Sequence, residues 1–285
     1  QKPLCSNTFD MHRTKNQQTS GALLSPVFSA GGVTKSILLQ KILFEIYSWL
    51  SLQFIFPSYY YGGPTLFVAQ TFLAGGACYW DWHIGDTMKN NVDRIVARGL
   101  VRNRFEVLFA MYMTILTSQS IALTLAILSG CFQASAHYDF QLARNVVYCI
   151  LFNEAVFSTS HRYFLHGTEL GGKIHQIHHT CRPSSFSTSF IFHFWDSNTE
   201  FTASFCCMAA FCNFFLKDPF ALLCSLHIGY LWYSVGDHSE NLKLGHFWHH
   251  HFINSNYTAY TDIRYFWPAP KTDFVRERVF SDRKD

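Results

Sequence analysis

The chain has 285 residues, of which 49% are hydrophobic and 14% are charged. This balance is too apolar for an ordinary water-soluble domain, and it predicts an integral membrane protein. The formal net charge is +3 and the basic residues are scattered, so the sequence gives no support to nucleic-acid binding.

The chain begins with a polar segment, residues 1–35, which is rich in serine, threonine, glycine and glutamine. This composition predicts an N-terminal extension or an arm that contacts neighbouring membrane subunits. Residues 36–268 form the predicted membrane-embedded domain, and residues 269–285 form a polar C-terminal tail.

The apolar segments of the membrane-embedded domain predict an all-α integral membrane bundle of about four to six membrane helices. Residues 37–57 and 64–80 are the first two predicted helices. Residues 86–104 predict an amphipathic helix, because arginine recurs at every fourth position. We expect this arginine face, formed by Arg94 and its successors, to contact lipid headgroups or solvent.

The clearest membrane-spanning segment is 107–132, which contains no charged residue. Residues 145–160 form a second apolar segment that leads directly to the first histidine motif. Residues 201–216 and 220–236 predict a helical hairpin, because Lys217-Asp218-Pro219 between them is typical of a tight turn.

The chain contains three histidine motifs: H-R-Y-F-L-H from His161, H-Q-I-H-H from His175 and H-F-W-H-H from His246. The first two follow the apolar segment 145–160, and the third follows the predicted hairpin. Positions i, i+3 and i+4 of a helix project from one face. The second and third motifs can therefore each direct three imidazoles at one point, and two such triplets predict two metal ions.

The first motif has a different spacing, since His161 and His166 are five positions apart. Five positions turn a regular helix about 140° away from a shared face, so this pair converges only at a helix end or in a local π-turn. Gly167, Gly171 and Gly172 follow, and they can break the helix and return the second motif towards the first.

Counting the membrane crossings places all three motifs on the side that carries the basic loop 86–104. The positive-inside rule makes this the cytosolic or matrix side.

A shell of neutral imidazoles suits iron, zinc, copper or nickel. The chain has no H-E-x-x-H motif of a zinc peptidase and no C-x-x-C pair of a structural zinc site. The pattern instead indicates a two-metal site that handles dioxygen. A metal-free relic of such a site is the alternative.

The motifs resemble those of the fatty acid hydroxylase and sterol desaturase superfamily, which are membrane-bound non-haem diiron oxygenases. Asn254, Asn256 and Tyr257 are similar to the end of its H-H-x-x-F-N-x-N-Y-G pattern, and His238-Ser239 resembles its H-S element. Phe194 departs from the proline of its H-P-x-E element. The resemblance covers about residues 145–268 and leaves the first hundred residues without a match.

The resemblance implies two bound iron ions, for which zinc can substitute in a structure. The predicted metal ligands are His161, His166, His175, His178, His179, His193, His238, His246, His249 and His250. Acids near the motifs are candidates to accept hydrogen bonds from the ligand imidazoles. They are Glu154, Asp196, Glu200, Asp237 and Glu240.

The implied function is hydroxylation or desaturation of a membrane lipid, either a sterol, a sphingoid base or a fatty acyl chain. It uses O2 and electrons from a cytochrome b5 or a reductase, in the endoplasmic reticulum or, alternatively, in the mitochondrial inner membrane. The alternative function is that of an accessory or structural subunit of a large membrane complex, such as a mitochondrial respiratory complex, that retains the fold and its metal.

Overall fold

The computed structural model describes residues 63–84, 86–182, 185–231, 238, 246–253, 257–259 and 272–280. These residues form helices and connecting turns and no strand, so the predicted all-α class is confirmed for them. Several predictions fall outside the described residues: the arm 1–35, the helix 37–57, and the side chains of Asp237, Glu240, Asn254 and Asn256.

The helices of the N-terminal half are α1 (Gly63–Ile84), α2 (Asp86–Ala97), α3 (Arg104–Leu128) and α4 (Phe140–Ser160). The central helices are a π-helix (His161–His166), α5 (Glu169–Thr180), a 3-10 helix (Phe186–Phe190) and α6 (Phe194–Leu216), which contains the π-helical segments Asn198–Ala203 and Cys212–Leu216. The remaining helices are α7 (Pro219–Leu231), α8 (His246–Phe252) and α9 (Phe274–Phe280).

Two of these helices, α3 and α6, are long and apolar enough to cross a membrane, and the apolar part of α7 is shorter. Helix α3 starts where the side chain of Asn103 accepts a hydrogen bond from the backbone of Glu106 (3.1 Å), and α4 starts at the equivalent cap Asp139. The count of four to six membrane helices stays a prediction.

The amphipathic helix predicted over 86–104 is shorter in the structure, because α2 ends at Ala97 and Gly99 has a positive φ of 66°. The headgroup-facing prediction is wrong for Arg94. Its guanidinium is half-buried and donates to the backbone oxygens of Thr180 (3.3 Å) and Arg182. Arg94 therefore satisfies carbonyl groups at the C-terminal end of α5, which carries the second histidine motif.

The predicted hairpin between α6 and α7 is confirmed, with its tight turn at Lys217, whose φ is 53°. The Asp218 carboxylate caps α7 by accepting from the backbone of Ala221 (3.0 Å), and it also accepts from the Asn145 amide of α4 (2.9 Å). Aromatic stacking of Phe152 on Phe211, with ring centroids 4.4 Å apart, joins α4 to α6 further along. These contacts hold the three helices that surround the histidine motifs in one bundle.

Gly171 in α5 allows the second motif to approach the first. A Cβ atom at this position would lie 2.7 Å from the Cα of Leu165 and would overlap the carbonyl oxygen of Phe164, both in the π-helix of the first motif. Gly172 has the same role on the opposite side, where a Cβ would lie 2.6 Å from Cβ of Phe274 at the start of α9. The prediction that these glycines break the helix is wrong for Gly171 and Gly172, which lie inside α5. Gly171 brings the first two motifs together through close backbone packing instead.

We expect Gly171→Ala to destabilise the protein by about 1–3 kcal/mol, since backbone atoms on the other side of the contact cannot move away as a flexible side chain would. Its thermal unfolding midpoint in detergent should fall. The matched control is Gly76→Ala in α1, where a Cβ meets nothing within 4 Å. That substitution should raise stability by about 0.5–1 kcal/mol, because alanine is the better helix former. Equal midpoints for the two variants would contradict the packing role of Gly171.

Candidate metal centre

Nine of the ten predicted ligand histidines converge in the structure in two groups. The five-histidine group consists of His161, His166, His175, His179 and His249, and the four-histidine group consists of His178, His238, His246 and His250. Within each group the ligand atoms lie within 4.8 Å of one another, and all nine side chains are buried.

The two groups are adjacent, because rings of one pack on rings of the other. The His179 and His250 rings are stacked with centroids 4.4 Å apart, and those of His161 and His246 are 4.7 Å apart. The two groups could therefore hold two ions side by side.

The prediction that each triplet surrounds one ion is wrong, because both triplets divide between the groups. In the second motif, His175 and His179 belong to the five-histidine group and His178 to the other. On a regular helix, position i+3 is rotated about 60° to one side of position i and position i+4 about 40° to the other side. The i+3 histidine therefore faces a different point from the i, i+4 pair.

The third motif divides in the same way and with the opposite assignment. His246 and His250 belong to the four-histidine group, while His249 reaches the five-histidine group, with Nε2 3.0 Å from Nε2 of His166. Each of the two motifs thus contributes to both groups, and the two helices α5 and α8 are held together by the site that they share.

The first motif adopts the π-turn that its spacing requires. His161–His166 is a π-helix, in which residues five positions apart are brought round towards one face. His161 Nε2 lies 2.9 Å from Nε2 of His175, and His166 joins the same group. The expectation of a local π-turn is confirmed.

Hydrogen bonds at Nδ1 set the tautomers of several of these imidazoles. His178 donates from Nδ1 to the backbone oxygen of Ile191 (3.2 Å), and His246 donates from Nδ1 to that of Thr258 (3.3 Å). Because a carbonyl only accepts, the hydrogen sits on Nδ1 and the Nε2 lone pair of each ring points into the four-histidine group.

Burial keeps the imidazoles neutral. It lowers the pKa of His161, His178, His179, His246 and His250 well below the usual value of 6.5, and neighbouring histidines add to the effect. Burial likewise lowers the pKa of His175 to about 3 and that of His166 to about 4. Neutral imidazole is the form that binds metals.

The close spacing of the ring nitrogens suits a bound cation. In the four-histidine group the Nε2 atoms of His178, His238 and His250 are 2.9–3.0 Å from one another. Since His178 has no hydrogen on Nε2, any single N–H in this triangle satisfies one neighbour and leaves another lone pair in repulsive contact. Among the described residues, the buried His246 Nε2 has no hydrogen-bond partner either. A metal ion removes both conflicts, so the residues fit one.

Carboxylates lie behind the five-histidine group. Asp196 accepts from His175 Nδ1 (2.8 Å), with Glu200 3.6 Å from the same nitrogen, so these two predicted acids lie beside a ligand histidine. Glu154, in contrast, accepts from the backbone of Ala259 (3.1 Å), just beyond the third motif.

Sequence reasoning missed Asp273, which belongs to the predicted polar tail. It accepts from His166 Nδ1 (2.9 Å) and from the Tyr257 hydroxyl (3.1 Å). Burial opposes ionisation of Asp273, but these hydrogen bonds prevail and hold its pKa below the usual value. An aspartate before F-V-R-E-R-V-F is typical of a helix N-cap, which identifies the helix start but not its position near the first motif.

Two other histidines lie away from the groups. His193, the tenth predicted ligand, is half-buried at the start of α6, where its Nδ1 accepts from the backbone of Trp195 (3.3 Å). His227 is buried in α7 with its Nδ1 3.1 Å from the Gln70 side-chain oxygen. His193 therefore has a role in local structure, and His227 joins α7 to α1.

An apolar groove of about 390 Å³ lies between the first two motifs and α6, and its lining includes Phe164, Ile174 and Trp195. In the sequence, Ile174 directly precedes His175, and Phe164 lies between His161 and His166.

Comparison of the chain with protein-family models, with curated proteins and with solved structures found no match. The function of the protein is therefore inferred from the geometry of the metal centre and its surroundings.

We expect His246→Asn to weaken the binding of one ion and so to lower the bound metal below about two ions per chain, because one of the four imidazoles of its group is lost. Elemental analysis of the protein purified with Fe²⁺ measures this. His193→Asn is the matched control and should leave the metal content unchanged, since His193 lies outside both groups. Loss of metal in the control alone would reverse the assignment.

Removal of metal should destabilise the fold. A site saturated at about 100 times its dissociation constant contributes about 2.7 kcal/mol, so a strong chelator should lower the thermal unfolding midpoint of the protein. Restoring Fe²⁺ should recover it, and His246→Asn should show a smaller drop. A midpoint that chelation does not change would mean that no ion stabilises the histidine groups.

Proposed function

We propose that the protein is a membrane-bound diiron oxygenase that hydroxylates or desaturates a lipid, with O2 as oxidant and a cytochrome b5-type donor or reductase as the source of electrons. The observation that carries the proposal is the pair of adjacent, fully buried histidine groups. Two iron ions held by these histidines would activate O2 for attack on an unactivated C–H bond, which no side chain can do.

The number of ligands is the feature that favours iron over zinc. Structural zinc is four-coordinate, whereas one group here offers five imidazoles.

The chain's own residues would prepare the site for this chemistry. Asp196 and the backbone carbonyls of Ile191 and Thr258 hold the ligand rings in the tautomer that presents Nε2 to the ions. Burial of all nine imidazoles excludes bulk water, which would otherwise compete for the metal and consume oxidising equivalents.

A lipid is the substrate class that the surroundings favour. Helices α3 and α6 are apolar enough to cross a membrane, and α6 carries both Asp196 and the outer wall of the apolar groove. A chain in the adjoining leaflet would therefore meet an apolar surface next to the centre. We place the protein in a cellular membrane with the centre at the cytosolic or matrix face, and propose the endoplasmic reticulum as that membrane.

The test is to express the full chain with a cytochrome b5 and its reductase, and to analyse extracted sterols, sphingoid bases and fatty acyl chains by mass spectrometry. We expect O2-dependent appearance of lipids that have gained one oxygen atom or lost two hydrogen atoms. His246→Asn should abolish the product and His193→Asn should retain it, because only the first removes a group member.

Metal binding without any lipid product, in the presence of a working electron donor, would contradict the proposed activity. That result would favour the alternative of an accessory subunit in which the metal stabilises the fold.

A further inference from the structure

The C-terminal helix α9 is anchored next to the five-histidine group. Its backbone packs on Gly172 of α5, where a Cβ would come within 2.6 Å of Phe274, and Arg278 forms an ion pair with Glu169 at the start of α5 (3.4 Å). Arg98, just beyond α2, donates to the backbone oxygen of Val279 (3.3 Å). Contacts with α5 and with Arg98 thus determine the position of the residue immediately before α9.

That residue is Asp273, which is buried and has three partners of different origin. Oδ1 accepts from His166 Nδ1 (2.9 Å) and from the backbone N–H of Arg276 (3.0 Å), while Oδ2 accepts from the Tyr257 hydroxyl (3.1 Å). One carboxylate therefore connects the first motif, the start of α9 and Tyr257, which lies seven positions beyond the third motif.

Tyr257 extends this connection to a second ligand. Its ring centroid lies 4.8 Å from that of His249 and 5.0 Å from that of His166. Burial and the nearby Asp273 carboxylate raise the pKa of the phenol above its usual value, so the hydroxyl stays protonated and donates. Both His166 and His249 are consequently packed against one tyrosine whose orientation Asp273 fixes.

The effect of Asp273 on His166 follows from the tautomer. With its hydrogen on Nδ1, His166 presents the Nε2 lone pair, and this atom lies 3.0 Å from Nε2 of His249. Without an acceptor at Nδ1 the ring is free to carry its hydrogen on Nε2, and that form cannot bind a metal through Nε2. Asp273 also brings negative charge close to a centre that would hold a cation.

We propose that Asp273 is a positioning residue for the five-histidine group, and that α9 completes this metal centre by holding Asp273 against His166. The inference rests on the metal site of the proposed function but not on the lipid chemistry. Asp273 touches no ion itself and acts through His166 and Tyr257.

The experiment is an anaerobic competition titration of Fe²⁺ against a coloured chelator, using the full chain in detergent, in which the two binding steps are resolved. His249→Asn identifies the step of the five-histidine group, and His246→Asn identifies that of the four-histidine group. We expect Asp273→Ala to weaken Fe²⁺ binding only in the step of the five-histidine group, by about 10–100-fold. This is the usual effect of removing the acceptor behind a ligand histidine.

Three further variants separate positioning from helix capping. Asp273→Ser keeps an oxygen that can cap α9 but removes the carboxylate, so it should weaken the five-histidine step as alanine does. Asp273→Asn keeps an oxygen that can accept from His166 Nδ1, and should restore part of the affinity even if the alanine variant folds poorly. Glu277→Gln, exposed on the same helix, should leave both steps unchanged.

Wild-type affinity in Asp273→Ala or Asp273→Ser would overturn the proposal. Equal weakening of both binding steps would overturn it as well, because a merely structural residue acts on the whole site. Failure to detect an oxidised lipid, with the selective shift still present, would remove the proposed activity and leave the role of Asp273 intact. A wild-type chain that binds no Fe²⁺ would overturn both.

Discussion

The structure depends on the close approach of buried, neutral imidazole nitrogens. Two lone pairs separated by 2.9–3.0 Å repel one another unless a proton or a cation lies between them, and an apolar surrounding provides no water to relieve that repulsion. Three features of the protein hold this arrangement: the π-turn of the first motif, the glycine contact between α5 and that motif, and the carbonyl and carboxylate acceptors at Nδ1. An ion bound between these histidines would add its binding free energy to the stability of the fold.

The helices around the centre meet two requirements with one set of residues. Apolar side chains on the outer faces of α3 and α6 suit a lipid surrounding, while buried side chains on their inner faces form part of the core. Polar contacts are placed where the chain turns, as at Asp218, which joins the turn before α7 to α4 through Asn145. Buried polar groups elsewhere, such as His227 with Gln70, are paired across helices, as is needed where backbone and side chains cannot reach water.

Differences between the sequence predictions and the structure have identifiable causes. The repeat of arginine at every fourth position describes one helix only, and it predicts a headgroup-facing surface for Arg94. The guanidinium instead contacts the C-terminal end of α5, which comes from a distant part of the chain. The two triplets were each assigned to one ion, because a helical projection shows that three side chains share a face. It does not show that the i+3 and i+4 side chains, which are about 100° of arc apart, can face two different centres. Asp273 was missed since only packing of α9 on α5 brings it to His166.

The sequence by itself determined the features that are set by local spacing and composition: the helical class, the apolar segments and the tight turn at Lys217. These depend on residues within a few positions of one another, whose geometry the chain fixes directly. Only the tertiary structure decided that a π-turn rather than a helix end joins His161 to His166, which histidines share a group, and which acids lie behind them. The last two relations join residues far apart in sequence, and they arise from the packing of α5, α8 and α9, which no local pattern encodes.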